Sequence, residues 1–165
     1  ARVASPRPRR FVAATLASEA VATAAVKPES AIHYRQSVYT MIGWNFAPLA
    51  DMVKGKTAWD AAEFSRHAER ISFLAPQLLE GFPAGSDTGA KTEAKIDIWK
   101  NMDDFKSTMG DLVTQSKALA DISRGGDEAS LKEQFKKTAV ACKACHDKYR
   151  TEDCRARLVS QQLTD

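Results

Sequence analysis

Several residue types are scarce in this chain of 165 residues, and each scarcity argues against a class of protein. Three cysteines are an odd number, so a closed disulfide framework cannot account for all of them. Eight glycines and six prolines are too few for a low-complexity chain. The longest weakly polar run, 11–26, is interrupted by Ser18 and Glu19 and is shorter than the roughly 20 apolar residues that a bilayer requires. We therefore expect no membrane-spanning helix.

The net charge of +3 is small and is concentrated at one end of the chain. Residues 1–26 hold four arginines and one glutamate, which leaves 20 basic and 20 acidic side chains for the rest. Because these charges are interspersed rather than gathered into a basic stripe with aromatics, we expect no nucleic-acid partner. With 44% hydrophobic and 27% charged residues, the composition fits one ordinary globular domain.

Residues 1–26 differ in composition from the rest and resemble a targeting leader. Arginines come first, an alanine-rich stretch follows, and Ala22-Thr23-Ala24 fits the small-residue cleavage site of a secretory signal. The same composition suits an organelle presequence, and a docking segment is a further possibility. We therefore divide the chain into an N-terminal extension over 1–26, a folded domain over 27–155 and a short tail over 156–165.

Apolar residues recur at the three- and four-residue spacing of amphipathic helices in four segments of the folded domain. The expected helices cover 28–53, 57–79, 92–122 and 128–155. Pro28 begins the first helix, Pro76 kinks the second near its end, and Asp127 caps the fourth. No segment alternates as a strand would, so the predicted fold is all-α, an antiparallel four-helix bundle whose core can hold a cofactor.

The sequence Cys142-Lys143-Ala144-Cys145-His146 is a CxxCH motif, which is typical of covalent haem c attachment. Two thiols can add to the haem vinyl groups while the histidine binds the iron. On a helix these residues stand at i, i+3 and i+4, so both sulfurs and the imidazole emerge on one face. The motif predicts one covalent haem c with His146 as an iron ligand.

Three other interpretations of the motif remain open. A thioredoxin-like redox pair requires its CxxC at the start of a helix, whereas this one lies deep within the fourth helix. A zinc site of Cys142, Cys145, His146 and Cys154 has suitable ligand types but lacks a second closely spaced pair. Incidental buried thiols in a helical bundle would leave the position of His146 unexplained.

The segment from Cys142 to Arg150, CKACHDKYR, resembles the attachment site of the cytochrome c′ family. The segment Lys27-Pro28-Glu29 and the residues 34–37 that follow are similar to the start of that family's first helix. The resemblance spans 27–150. It implies a four-helix bundle with the haem motif on the last helix, a homodimer, and a five-coordinate iron whose only axial ligand is the motif histidine, here His146.

The resemblance also implies roles for residues outside the motif. Tyr39 falls where the family places the side chain above the iron, and Arg35 is similar to its propionate-contacting arginine. Arg150, one turn beyond His146, resembles the arginine of the proximal side. Phe82 resembles a haem-contacting aromatic, and Gln36 and Tyr149 complete the predicted cofactor-binding set.

Plainer interpretations apply to three of these residues. An aromatic residue at helical spacing, such as Tyr39, belongs to the core more often than to a cofactor site. Arg35 would otherwise be a solvated surface charge, and the aromatic ring of Phe82 would pack elsewhere.

Neither of the other two histidines, His33 and His67, is predicted to be a ligand, since a lone histidine on a helix is usually a surface or structural group. Low-spin relatives use a methionine of the first helix as sixth ligand. Met41 and Met52 both lie off the face of Tyr39, so we expect no such ligand here.

The predicted function is binding of diatomic gases, NO or CO, at a five-coordinate haem iron. The alternatives are a periplasmic electron-transfer cytochrome with a redox partner protein and a haem-bearing accessory subunit of a larger assembly. Because no triad, phosphate loop or credible carboxylate pair is present, we expect no enzyme. The predicted location is the periplasm, with an organellar intermembrane space as the alternative.

Overall fold

The computed structural model describes residues 26–151, and four long helices form most of this region. Helix α1 covers Pro28–Val53, α2 covers Ala61–Leu74, the one-turn α3 covers Asp97–Lys100, α4 covers Met102–Ser123 and α5 covers Glu128–Tyr149. Helix α1 packs against α2, α2 against α4, and α4 against α5. This arrangement confirms the predicted all-α four-helix bundle. The predicted tail, Cys154 and all but the last residue of the N-terminal extension lie outside the described residues.

Helix α1 has the predicted bounds, and its sequence explains both ends. Pro28 is the first helical residue, where its missing N–H costs nothing, and Glu29 complements the positive end of the helix dipole. Gly55, with φ of +72°, reverses the chain after the last turn. The buried face runs from Ala31 to Met52 in steps of one, three and four residues.

The second helix starts four residues later than predicted. Asp60 is its N-cap and accepts a hydrogen bond from the backbone N–H of Glu63 at 3.0 Å, so the segment 57–59 belongs to the preceding turn. At its other end the chain tightens from α-helix to the 3₁₀ helix Ala75–Gly81, with Pro76 in its first turn. The predicted change at Pro76 is therefore confirmed.

The prediction of one helix over 92–122 was wrong in its first ten residues. The segment 92–95 is extended, α3 makes a single turn, and Asn101 breaks the helix with φ of −129° before α4 begins. The cause is pairing with a distant part of the chain. Lys95 N–H donates to Tyr149 O, and Thr151 N–H donates to Glu93 O, both at 2.9 Å.

The same pairing ends α5 at Tyr149, six residues before the predicted end. Arg150 is extended, with φ of −111° and ψ of 141°, and forms an isolated antiparallel bridge with Ala94. The rest of the predicted helix, 152–155, lies outside the described residues. At the start of α5, Asp127 accepts a hydrogen bond from the N–H of Ser130 at 2.9 Å, which confirms the predicted cap.

Apolar side chains from all four long helices form one core, and within 26–151 every buried polar side-chain atom has a partner. Thr138 and Ser116, for example, are fully buried but bond to backbone carbonyls of α4 and α5. No helix in this part of the chain is long and apolar enough to cross a membrane.

Arg35 is the largest fully buried side chain, with 2% of its surface exposed, and it ties the loop after α2 to α1. Its Nη1 donates to Gly81 O at 2.9 Å and to Ser86 Oγ at 3.1 Å. Its Nη2 donates to Ser86 O and Thr92 Oγ1, both at 3.0 Å. Arg35 is therefore not a solvated surface charge, because a buried guanidinium is stable only with such acceptors.

We predict that Gly81→Ala destabilises the fold by about 1–3 kcal/mol, the usual cost of overpacking. A Cβ at Gly81 would lie 2.4 Å from the Cβ of Arg35 and 3.1 Å from its Cα, so α1 and the loop must separate. Urea denaturation of the purified protein measures the change. Gly43→Ala is the control, since its added methyl group meets nothing within 4 Å and should stabilise helix α1 slightly. Equal effects of the two substitutions would contradict this account.

Candidate cofactor site

The second half of α5 presents the three motif residues on one helical face. Since α5 is continuous from Glu128 to Tyr149, Cys142, Cys145 and His146 keep the i, i+3, i+4 relation that the sequence predicts. Cys145 is buried, whereas Cys142 and His146 are half-buried. Neither cysteine forms a disulfide, so both thiols are available for attachment.

Burial keeps both thiols uncharged. Burial raises the pKa of Cys142 and of Cys145 to about 11. The Cys145 thiol lies 3.8 Å from the Met109 sulfur of α4, in the apolar core. A redox-active CxxC needs the opposite shift, toward a thiolate at a helix start. The thioredoxin-like interpretation is therefore unsupported.

His146 is also held in its neutral form. Burial lowers the pKa of this imidazole, Arg150 lowers it further, and the nearby carboxylates of Asp147 and Glu93 oppose the shift. A neutral imidazole has a free lone pair and is the form that binds a metal. The side chain therefore has the protonation state required of an iron ligand.

Tyr39 of α1 packs against the core to which Cys145 belongs. Burial raises the pKa of its hydroxyl, whereas the positive charges of Arg35 and Arg150 oppose that shift. The phenol is therefore neutral. Its place against the core agrees with the plainer interpretation of this residue, and its predicted position above the iron stays a prediction.

Aromatic rings form a connected wall from the loop to the end of α5. Phe82 contacts Trp99 and Phe105, with centroids 5.9 and 4.8 Å apart, and Phe105 meets Tyr149 edge to face at 5.1 Å. Phe82 is only 5% exposed, so it folds inward. The helical spacing of Trp99 and Phe105 indicates only that they are core residues, since it carries no information on their contact with Phe82.

Arg35 and Gln36 both bind the loop. The Arg35 guanidinium carbon lies 4.7 Å from the Phe82 ring centroid and 5.4 Å from that of Trp99. Gln36 Nε2 donates to Lys91 O at 2.9 Å. These contacts assign the two residues a structural task that sequence analysis missed. Their predicted contacts with the cofactor remain predictions.

The side chains of Tyr149 and Arg150 each pair with a carboxylate. The Tyr149 hydroxyl donates to Asp104, which also pairs with Lys148 at 2.6 Å. Arg150 Nε and Nη2 donate to one oxygen of Glu93, at 2.9 and 2.7 Å. Glu93 is far from Arg150 in sequence and carries no local signal, so the sequence did not reveal this pair.

His33, His67, Met41 and Met52 are the residues that the sequence analysis weighed as further ligands. His67 is 8% exposed, and its Nδ1 lies 2.9 Å from Asn45 Oδ1, as expected of a structural group. Met41 is 44% exposed, and Met52 is buried in the last turn of α1. His33 is exposed as well. That none of the four is a ligand stays a prediction.

The site fits a flat, apolar cofactor better than it fits a metal ion alone. Among residues 26–151 no group of three or more His, Cys, Asp or Glu side chains could hold a metal ion. Cys154, the fourth residue of the zinc hypothesis, lies outside this range. Two neutral thiols, a neutral imidazole and a wall of aromatic rings match the requirements of a covalently held haem. The residues present thus fit haem c.

A CxxCH motif on the last helix of a helical bundle defines a class, the helical c-type cytochromes. Comparison with known proteins narrows the class. The family model for cytochrome c′ matches residues 30–150. The cytochrome c′ of Rubrivivax gelatinosus is 36% identical over 75% of this chain and 96% of its own, and that of Halomonas halodenitrificans is 34% identical over 76% and 99%.

A solved structure supports the same conclusion. The cytochrome c′ of Shewanella frigidimarina matches 76% of this chain and 97% of its own with 40% identity and a TM-score of 0.73. The chain belongs to the cytochrome c′ family, and it carries covalently bound haem c with iron, as that family does.

Proposed function

We propose that this cytochrome c′ binds the diatomic gases NO and CO. The observation that supports the proposal most directly is the position of Tyr39, since the α1 side chain beside the motif is a phenol rather than a methionine thioether. Haem c supplies a ferrous iron that can bind a diatomic gas when no sixth protein ligand is present. Among the structural relatives is a nitric oxide complex of a variant cytochrome c′ from Alcaligenes xylosoxidans, 31% identical to this chain.

The motif residues, Tyr39 and the aromatic wall each have a task in this proposal. Cys142 and Cys145 form the thioether attachments, and His146 supplies the only axial imidazole. Tyr39 limits access on the opposite side by its bulk. The aromatic wall, from Phe82 to Tyr149, excludes water from the cofactor edge.

We propose that the protein is not an enzyme and that it binds these gases in the periplasm. Electron transfer is the competing function, which requires an exposed haem edge and a suitable potential, and a six-coordinate, low-spin iron would favour it. We also propose that residues 1–26 are a leader and that residues 27–155 form the haem domain. Mass spectrometry of the purified protein tests this division, because it shows where the mature chain begins.

We predict that the haem survives acid–acetone extraction and that the reduced protein has a high-spin optical spectrum that changes on addition of CO or NO. Covalent attachment through two thioethers explains the first result, and a vacant sixth position explains the second. Cys142→Ala and Cys145→Ala should each weaken attachment, whereas Cys154→Ala should not. A low-spin spectrum unaffected by gas would favour electron transfer, and extractable haem would contradict the attachment.

We predict that Tyr39→Ala speeds CO association with the reduced protein about tenfold or more, because access is set by the bulk above the iron. Stopped-flow mixing measures the rate. Tyr34→Ala is the matched control on the same helix, since Tyr34 is 37% exposed and bonds only to Glu80. If both variants bind CO at the wild-type rate, Tyr39 does not guard the iron.

We further propose that a second copy of this chain covers the exposed apolar face of α1 and α2. Trp44 is 77% exposed and Phe73 is 74% exposed, and Met41 and Trp44 line a groove with Arg70 and Leu74. Exposed aromatic clusters of this kind are typical of protein interfaces. One structural relative, 28% identical to this chain, is a cytochrome c′ with ligand-controlled dimer dissociation.

We expect sedimentation of the wild-type protein as a dimer and of Trp44→Glu as a monomer. A buried carboxylate without a partner opposes association strongly. Val140→Glu is the control, because Val140 is 67% exposed on α5, away from this face. A monomeric wild-type protein at micromolar concentration would contradict the homodimer and favour the accessory-subunit alternative.

A further inference from the structure

The chain beyond α5 is fixed by a short extended segment that precedes α3. Two backbone hydrogen bonds, from Lys95 N–H to Tyr149 O and from Thr151 N–H to Glu93 O, hold the two strands of chain together at 2.9 Å each. Ala94 and Arg150 face each other in this pairing. Because the N–H of Arg150 donates to His146 O at 3.1 Å, the paired segment begins one turn beyond the predicted iron ligand.

The side chains on this pairing form an ion pair with a defined geometry. Arg150 Nε and Nη2 both donate to Glu93 Oε2, at 2.9 and 2.7 Å. The side chains are 31% and 39% exposed, so water screens the pair only in part. Two donors on one acceptor fix the orientation of the guanidinium plane as well as its distance.

Both members of the pair act electrostatically on His146. Arg150 lies one helical turn beyond His146, to whose carbonyl its N–H donates at 3.1 Å, and Glu93 pairs with the Arg150 side chain at 2.7 Å. The two residues change the pKa of the imidazole in opposite directions. The two charges are thus close enough to the proximal side for either one, left uncompensated, to change the potential there.

We propose that Glu93 is a positioning residue for the haem: it holds Arg150 in one orientation and offsets its positive charge beside His146, and so lowers the reduction potential of the iron. The inference rests on the proposed role of His146 as axial ligand. A positive charge near the iron favours Fe(II), which carries less charge than Fe(III), and the negative charge of Glu93 opposes that preference.

The test is the midpoint potential at pH 7 of the holoprotein and its Glu93→Gln variant. The amide keeps the shape of Glu93 but removes its charge, so we expect the Fe(III)/Fe(II) equilibrium to shift toward Fe(II) by about threefold to tenfold, which is about 28–59 mV for one electron. Glu93→Asp, which restores the charge, should return the potential most of the way to wild type. Arg150→Gln should shift it in the opposite direction.

Asp97→Asn is the matched control. Asp97 lies four residues from Glu93 and is paired only with Lys100, at 3.6 Å, on an exposed surface. Its neutralisation should leave the potential near the wild-type value, because solvent screens such charges. An unchanged potential in Glu93→Gln, or an equal shift in Asp97→Asn, would overturn the proposal. If Glu93→Gln fails to fold, Arg150→Gln provides the test. A lower midpoint potential in that variant supports the proposal, and an unchanged or higher one overturns it.

A separate experiment distinguishes failure of this inference from failure of the proposed role of His146 as axial ligand. Replacement of His146 by Met must alter the optical spectrum of the retained haem if His146 is the axial ligand. An unaltered spectrum would remove the ligand assignment itself. An altered spectrum combined with a Glu93→Gln potential equal to wild type would remove only the role of Glu93.

Discussion

The burial of one positive charge, that of Arg35, organises the part of the molecule around the site. A guanidinium with 2% exposure must have hydrogen-bond acceptors, and Arg35 donates to four of them in the segment from Gly81 to Thr92. The segment therefore folds back over α1 instead of extending into solvent. Phe82 and Trp99 pack on the guanidinium face, and their rings begin the aromatic wall that ends at Tyr149.

The loop that Arg35 holds leads directly into the pairing at the end of α5. Thr92 accepts a hydrogen bond from Arg35. The next residue, Glu93, pairs with the Arg150 side chain through its carboxylate and accepts a hydrogen bond from the Thr151 N–H through its carbonyl. The segment 81–95, which these hydrogen bonds hold in place, thereby connects the α1 end of the site to the His146 end. Because loops without such anchors are mobile, this connection explains how an irregular segment can place side chains precisely.

Local patterns sufficed for the features that depend on neighbours in sequence. The stripe of α1, the Asp127 cap and the motif on α5 follow from spacing within single helices, and the resemblance supplied the family. The segment 92–101 was predicted as helix because Ile96, Trp99 and Met102 repeat at helical spacing. The structure makes 92–95 extended and leaves a single helical turn, α3, before Asn101, since Glu93 and Lys95 bond to residues more than 50 positions away. Such pairing leaves no periodic mark in either partner.

Arg35 and Tyr39 lie one turn apart on α1, and this spacing joins two requirements of the site. The first residue fixes the loop, and the second packs against the core that includes Cys145. Any shift of α1 along its axis would therefore disturb both the loop and the side chain proposed to guard the iron. The 2.4 Å approach of a Cβ at Gly81 to Arg35 shows how little room there is for such a shift. Close packing thus makes the geometry on the Tyr39 side depend on a contact made outside the motif.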